Sequence, residues 1–126
     1  MNRLMLVRLG DVDLVPRGSV RLFIARQPVR NMDKYGLHHV PTLAPSTDLL
    51  WAYKDGKITW KDYVERYRVE MTSMQQMLDK IYRQLEETPV ALVCYCATAQ
   101  CHRFLLGHFF EEIGVQVDSL KKDDEQ

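Results

Sequence analysis

Residues 89–114 read PVALVCYCATAQCHRFLLGHFFEEIG, and the rest of the chain is predicted to fold around them. The apolar run at residues 90–94 is continuous rather than alternating, which is typical of a strand buried on both faces of a parallel sheet. A short polar loop follows, and from Cys101 apolar residues recur at helical spacing as far as Gly114, a natural helix cap. A strand, a tight loop and a helix in this order predict an α/β domain.

Strands and helices also alternate along the remaining sequence. The pattern predicts strands at residues 4–7, 20–25 and 115–120, a helix that begins at Ser46 or Thr47 and ends at Gly56, and a long helix over residues 59–87 with a break near Thr72 or Ser73. Residues 31–45 are predicted to be irregular. The predicted architecture is a single three-layer α/β domain over residues 1–120, with a mostly parallel central sheet flanked by helices, followed by a flexible acidic tail at residues 121–126.

Composition narrows the class of protein. The chain has 126 residues, enough to bury a core without disulfides or metal. Its 17 basic and 17 acidic residues balance, so nucleic acid is a less favoured partner. No run approaches the ~20 apolar residues that span a bilayer, and the opening residues do not resemble a signal peptide. Three cysteines, an odd number close together, do not suggest a disulfide framework, and we expect a cytoplasmic protein with no membrane partner.

The junction between the strand and the helix of residues 89–114 is the predicted functional centre. The first turn of a helix presents free backbone N–H groups and about half a positive charge, and Arg103 adds a fixed cation beside them. A phosphate, sulfate or carboxylate would suit this position. The same field would stabilise a thiolate at Cys101, with His102 adjacent. We therefore expect Cys101, His102 and Arg103 to be the catalytic residues.

Ligands of α/β domains lie beyond the carboxyl ends of the strands. Arg26 follows the second predicted strand, so Arg26 and Arg103 are expected to face one pocket. Tyr63 and Tyr67 belong to an apolar stripe that is assigned to packing, although their hydroxyls lie near the start of the helix, where they would reach a pocket.

Several chemistries fit these residues. One is a site for a phosphate-bearing small molecule or nucleotide, with hydrolysis or transfer following. A second is a cysteine nucleophile as in sulfurtransferases, since the interval from Cys96 to Arg103 is one residue too long for a cysteine phosphatase. A third is zinc bound by Cys94, Cys96, Cys101 and His102, which is disfavoured because Cys94 is expected to point into the sheet and paired Cys-x-x-Cys spacing is absent. The last is a non-enzymatic domain that binds a protein partner.

Four segments together resemble the family called domain of unknown function 488, which occurs in bacteria and phages. They are IARQP at 24–28, LAPS at 43–46, YKDGKITWKDYVERY at 53–67 and VCYC…CHRFLL within 93–106. The resemblance implies a compact α/β domain and brings no established activity. It marks these family positions: Arg26, Pro28, Pro45, Ser46, Tyr53, Tyr63, Tyr67, Cys94, Tyr95, Cys101, His102 and Arg103. Relatives usually carry an acidic residue where this chain has Cys96, so no carboxylate acid or base is carried over to that position.

These lines of reasoning lead to one prediction of function. We expect a protein that binds a phosphate-bearing small molecule or nucleotide at the junction spanning Cys96 to Arg103, without a metal or another cofactor. The expected ligand-binding residues are Arg26, Ser46, Tyr53, Tyr63, Tyr67, Cys96 and Arg103.

Overall fold

The structure is a computed structural model that describes residues 1–96 and 100–122. Its strands are β1 (Leu4–Arg8), β2 (Val20–Phe23), β3 (Leu37–His39), β4 (Val90–Cys94) and β5 (Val117–Leu120). Its α-helices are α1 (Thr47–Lys54), α2 (Trp60–Thr72), α3 (Gln75–Gln84) and α4 (His102–Glu112), and two short 3-10 helices span Leu9–Leu14 and Pro41–Leu43. No described helix has both the length and the apolar character needed to cross a membrane.

All five described strands are parallel and form one sheet in the order β3-β2-β4-β1-β5. Strand β4 lies in the middle, paired with β1 and β2, and every one of its five residues is buried. The continuous apolar run predicted this position, and the α/β fold with a parallel sheet is confirmed. The carboxyl ends of β2 and β4 lie side by side, because Phe23 pairs with Val93.

The two faces of the sheet are covered differently. Leu4, Leu6 and Leu92 point to the face on which residues of all four α-helices pack. Met5 and Val93 point to the opposite face, which is covered by the first 3-10 helix and by irregular chain. The layer on this second face is therefore built without an α-helix among the described residues.

Local sequence signals account for the starts of α1 and α2 and for the break between α2 and α3. Ser46 is the N-cap of α1, and its hydroxyl accepts a hydrogen bond from the Leu49 N–H at 3.2 Å. Thr59 and Asp62 form a capping box at the start of α2. The predicted break of the long helix is confirmed between α2 and α3. There the hydroxyls of Thr72 and Ser73 bond carbonyls three residues back, which competes with helix continuation.

Two predictions about the elements need correction. Strand β3 lies inside the segment predicted to be irregular, since its three residues, Leu-His-His, carry too little pattern to be recognised. Strand β2 ends at Phe23 rather than at residue 25. Of the predicted acidic tail, residues 123–126 lie outside the described residues, and residues 121–122 have no regular structure.

Helix α4 approaches the sheet closely at Gly107. A Cβ atom added there would lie 2.7 Å from Leu6 Cδ1 and 3.3 Å from Val117 Cγ1. Glycine thus allows the helix to rest directly on β1 and β5.

We expect Gly107→Val to reduce the free energy of unfolding by about 1–3 kcal/mol, because the added side chain overpacks a closed contact. Urea denaturation followed by circular dichroism measures the change. The matched control is His108→Val, which places the same residue at the next, exposed position of the helix and should stay within roughly 0.5 kcal/mol of the unmodified protein. Equal effects of the two variants would contradict the packing role of Gly107.

Candidate active site at the ends of strands β2 and β4

Two thiols and one imidazole meet where β4 ends and α4 begins. Cys94 is the last residue of β4, Cys101 is the N-cap of α4, and His102 is the first residue of that helix. The Cys101 and Cys94 sulfurs are 3.3 Å apart, and His102 Nδ1 lies 4.0 Å from the Cys94 sulfur and 3.9 Å from the Cys101 sulfur. All three residues are buried. We call them the Cys-Cys-His cluster.

The orientation of Cys94 differs from the sequence expectation. Its side chain shares the helix-covered face with Val90 and Leu92, because residues two apart on a strand point the same way. It therefore contacts Cys101 and His102 instead of pointing away from them, so the argument that disfavoured Cys94 as a zinc ligand does not hold.

The imidazole of His102 is held in one tautomer. Its Nε2 lies 2.8 Å from the carbonyl oxygen of Ile24, which can only accept, so Nε2 carries the proton. In the neutral imidazole Nδ1 then has no proton, and its lone pair faces the two sulfurs. The Tyr67 ring packs edge-on against the imidazole, with ring centroids 5.9 Å apart, and the Tyr67 hydroxyl donates to the Leu43 carbonyl at 2.6 Å.

The two thiols differ in acidity. A hydrogen bond from Cys101 is the largest influence that lowers the pKa of Cys94, to about 7, and the backbone N–H of Cys96 and the charge of Arg103 act in the same direction. Donating that hydrogen bond, together with burial, raises the pKa of Cys101 to about 12. The hydrogen bond from Cys101 to Cys94 thus favours a thiolate at Cys94, whereas the sequence predicted one at Cys101.

A pocket of about 470 Å³ opens above the cluster, and its three residues form part of the lining. The residues around them that carry polar groups are Arg26, Tyr53, Lys54, Tyr63, Tyr95, Cys96 and Gln100. Two of these are cations, and no carboxylate is among the described residues that line the pocket. The described lining is therefore positively charged.

Aromatic rings and hydrogen bonds shape the pocket wall. Tyr53 contacts Tyr63 and Trp60, with ring centroids 5.2 and 5.5 Å apart, and its hydroxyl donates to Gln100. Burial raises the pKa of Tyr63, so its hydroxyl stays neutral. Arg26 donates from Nη2 to the Pro45 carbonyl at 2.7 Å, which fixes its guanidinium beside the opening.

Three residues predicted to bind ligand do not line this pocket. Ser46 is occupied as a helix cap, and both its N–H and its hydroxyl bond the carboxylate of Glu70. Tyr67 lies beneath the pocket, where its hydroxyl and ring are engaged as described above. Arg103 is 6% exposed, donates from Nη1 to the Cys96 carbonyl at 2.6 Å and packs over the Phe104 ring.

The expectation that Arg26 and Arg103 face one pocket is therefore not met among the described residues. Arg103 lies outside the pocket lining. It donates a hydrogen bond to the carbonyl of Cys96 and adds positive charge near the Cys94 sulfur. Its Nε atom is buried without a hydrogen-bond partner. Residues 97–99 of the predicted anion-binding loop lie outside the described residues.

Sequence reasoning missed three pocket residues. Lys54 lines the pocket from the last turn of α1 and Gln100 from the position before Cys101, and neither was singled out as a site residue in the sequence. Cys94 was disfavoured as a ligand because it was expected to point into the sheet, although the carboxyl end of a central parallel strand is a position where ligands commonly bind.

Comparison with known proteins gives one match. The model of the family DUF488-N3a, described as the active DUF488-N3 subclade, matches residues 4–114. This region includes every element from β1 to α4. No curated protein and no solved structure matches the chain.

We expect the ultraviolet absorbance of reduced, chelator-treated protein to show a thiolate forming with a midpoint near pH 7, measured in a Cys96→Ala background. Below this pH Cys94 is protonated and above it Cys94 is ionised. In the unfolded chain a cysteine ionises near pH 8.5, so folding stability from this group should increase as the pH rises from about 7 to about 9.

The control adds Cys94→Ala to the same background, which should remove the neutral-pH step and leave only alkaline ionisation. A step that survives this second substitution would assign the low pKa to Cys101 and contradict the geometry.

Proposed function

The chain belongs to the domain of unknown function 488 family through its DUF488-N3a subclade, and from that premise we propose that it binds a phosphate-bearing small molecule or nucleotide and carries out hydrolysis or group transfer over the Cys-Cys-His cluster. The observation that carries the proposal is the pairing of positive charge with reactive groups across one pocket. Arg26 and Lys54 line the same space as Cys94 and His102, with no carboxylate among the described lining residues.

The charge of the pocket supports an anionic ligand. Charge-assisted hydrogen bonds from arginine and lysine to phosphate are about twice as strong as bonds between neutral groups. A carboxylate lining the pocket would compensate both cations, and the described lining contains none. The cations are thus available to a ligand that brings its own negative charge.

The size and the wall of the pocket support a small organic ligand. About 470 Å³ lies within the range of pockets that enclose small molecules. Tyr53 and Tyr63 provide aromatic surface, and their hydroxyls, together with the amide of Gln100, provide hydrogen-bonding groups. A phosphate attached to a planar base or a sugar would use both the cations and this wall.

The cluster supports reaction as well as binding. The bond from Nε2 to the Ile24 carbonyl leaves Nδ1 of the neutral His102 imidazole as the position that accepts a proton from a nucleophile, as a general base does. Both sulfurs lie within 4.0 Å of this nitrogen.

A second candidate function follows from the acidity of Cys94, whose pKa is lowered to about 7. A thiolate at neutral pH is a nucleophile, which favours a sulfurtransferase-like reaction. In that reaction the Cys94 sulfur attacks the electrophilic atom of the substrate, the leaving group departs with its bonding electrons, and the group held on sulfur passes to water or to a second acceptor.

For the proposed ligand class, we expect at least one compound in a thermal-shift screen of phosphorylated metabolites and nucleotides to raise the melting temperature. A ligand at 100 times its Kd adds about 2.7 kcal/mol to the free energy of unfolding. Lys54→Gln and Arg26→Gln should each weaken the Kd about tenfold, which corresponds to the loss of ~1.4 kcal/mol of binding. Lys57→Gln is the matched control, since Lys57 is exposed and lies outside the pocket. If no compound binds, or if Lys57→Gln weakens binding equally, the small-molecule function fails and a protein partner becomes the next candidate.

For the second candidate, we expect mass spectrometry of protein trapped with its substrate to find the transferred group on the peptide that contains Cys94. Cys94→Ala should abolish both the adduct and turnover, whereas Cys96→Ala should retain them. An adduct on Cys96, or turnover by the Cys94→Ala variant, would exclude Cys94 as the nucleophile.

A further inference from the structure

We propose that the Cys-Cys-His cluster binds a single Zn²⁺ ion through the sulfurs of Cys94 and Cys101 and through Nδ1 of His102, with the fourth coordination position open to the pocket. The three donor atoms lie within 4.8 Å of one another, and all three residues are buried. This inference goes beyond the proposed function, because metal uptake does not depend on any organic ligand.

The spacing of the donors fits tetrahedral zinc. With Zn–S bonds of about 2.3 Å and Zn–N bonds of about 2.0–2.1 Å, tetrahedral angles separate two sulfurs by about 3.8 Å and a sulfur from a nitrogen by about 3.6 Å. The cluster has 3.3 Å between its sulfurs and 3.9 and 4.0 Å from the sulfurs to Nδ1. Each separation is within about 0.5 Å of its ideal, so side-chain adjustment alone would close the site.

The imidazole has the orientation that metal ligation requires. Metal-binding histidines usually donate their second ring N–H to a carboxylate, a backbone carbonyl or water, which directs the remaining lone pair at the metal. His102 donates from Nε2 to the Ile24 carbonyl at 2.8 Å and directs Nδ1 at both sulfurs. A disulfide between Cys94 and Cys101 would also suit two close sulfurs, but it would give this buried lone pair no partner. A metal satisfies all three donor atoms.

Charge balance favours an open fourth position. Two thiolates neutralise one divalent ion, so the complete set carries no net charge into a buried location. The backbone N–H of Cys96 hydrogen-bonds the Cys94 sulfur, which supports that sulfur as an anion. A third thiolate from Cys96 would give the buried set a net negative charge. Three protein ligands with one open position is the arrangement of catalytic zinc sites.

A zinc ion here changes the chemistry expected of the pocket. It would polarise a phosphoryl oxygen or lower the pKa of a bound water, and Arg26 and Lys54 line the same pocket to hold the rest of an anionic substrate. Cys94 and Nδ1 of His102 would then be ligands, so that Cys94 is no longer a free nucleophile and His102 no longer a general base. The metal site and the sulfurtransferase-like function are thus alternatives. The sequence spacing led to the opposite expectation of no metal, because it did not show that Cys94 faces the helix.

The first test is the metal content of the full chain, purified under reducing conditions without chelator. We expect equimolar zinc by plasma mass spectrometry, and, after replacement by Co²⁺, thiolate-to-cobalt charge-transfer absorption together with the visible bands of tetrahedral cobalt. Removal of the metal should lower the melting temperature, and added Zn²⁺ should restore it. Reduced protein that takes up neither zinc nor cobalt would overturn the proposal, as would a Cys94–Cys101 disulfide in protein that holds no metal.

Variants assign the ligands. Cys94→Ala, Cys101→Ala and His102→Ala should each weaken zinc binding at least 100-fold, while His108→Ala, which changes an exposed histidine of the same helix, should not. Cys96→Ala should keep the zinc, and loss of zinc in that variant would overturn the open fourth position. Circular dichroism checks that each variant is folded, and the cobalt spectrum of the unmodified protein tests the proposal even where a core variant does not fold.

Failure of the metal site and failure of the proposed function remain distinguishable. The thermal-shift screen is run on zinc-loaded and on chelator-treated protein. Zinc uptake without binding of any phosphorylated compound upholds the metal site and rejects the ligand class. Binding of such a compound by protein that takes up no zinc upholds the ligand class and rejects the metal site.

Discussion

The hydrogen bond from His102 to the Ile24 carbonyl is the interaction on which the site depends. It joins residues 78 positions apart in the sequence, at the start of α4 and just beyond the end of β2. The partner is a backbone carbonyl in an adjacent strand exit, so the bond forms only when β2 and β4 pair in the observed register. Formation of the sheet therefore fixes the tautomer of the histidine, and the tautomer fixes what the two sulfurs face.

A row of packed aromatic rings connects His102 to the start of helix α2. Tyr63 stacks on Trp60 and on Tyr67, and Tyr67 contacts His102, so a continuous row of rings runs from the start of α2 to the imidazole. The row rests on one face of α2, where the sequence shows aromatic residues at spacings of three and four. Packing and site formation are thus the same event, since the residues that attach α2 to the core also form the pocket wall and hold His102.

The sequence was sufficient for the fold, but not for the directions of the side chains at the candidate site. The continuous apolar run of β4 predicted a buried parallel strand, and the parallel arrangement predicted that β2 and β4 end side by side. Which face Cys94 occupies could not be predicted, because both faces of β4 are apolar and the alternation that reveals a solvent side is absent. Neighbouring residues on a helix point about 100° apart, and here His102 lines the pocket whereas Arg103 does not. In the sequence His102 and Arg103 stand as a pair. In the structure His102 belongs to the candidate site, and Arg103 lies behind it and holds the Cys96 carbonyl.

The two edge strands of the sheet affect the tendency of the protein to aggregate. Both edge strands are short: β3 has three residues and β5 has four. Each therefore leaves only a few backbone groups on its outer side, and β5 carries Asp118, paired with Arg3 at 2.9 Å. Short edges with charged side chains are a common protection against intermolecular strand addition. The short length of β3, which also prevents its recognition in the sequence, thus limits the backbone to which a second molecule could add a strand. Aggregation through the edges of the sheet is limited in the same way.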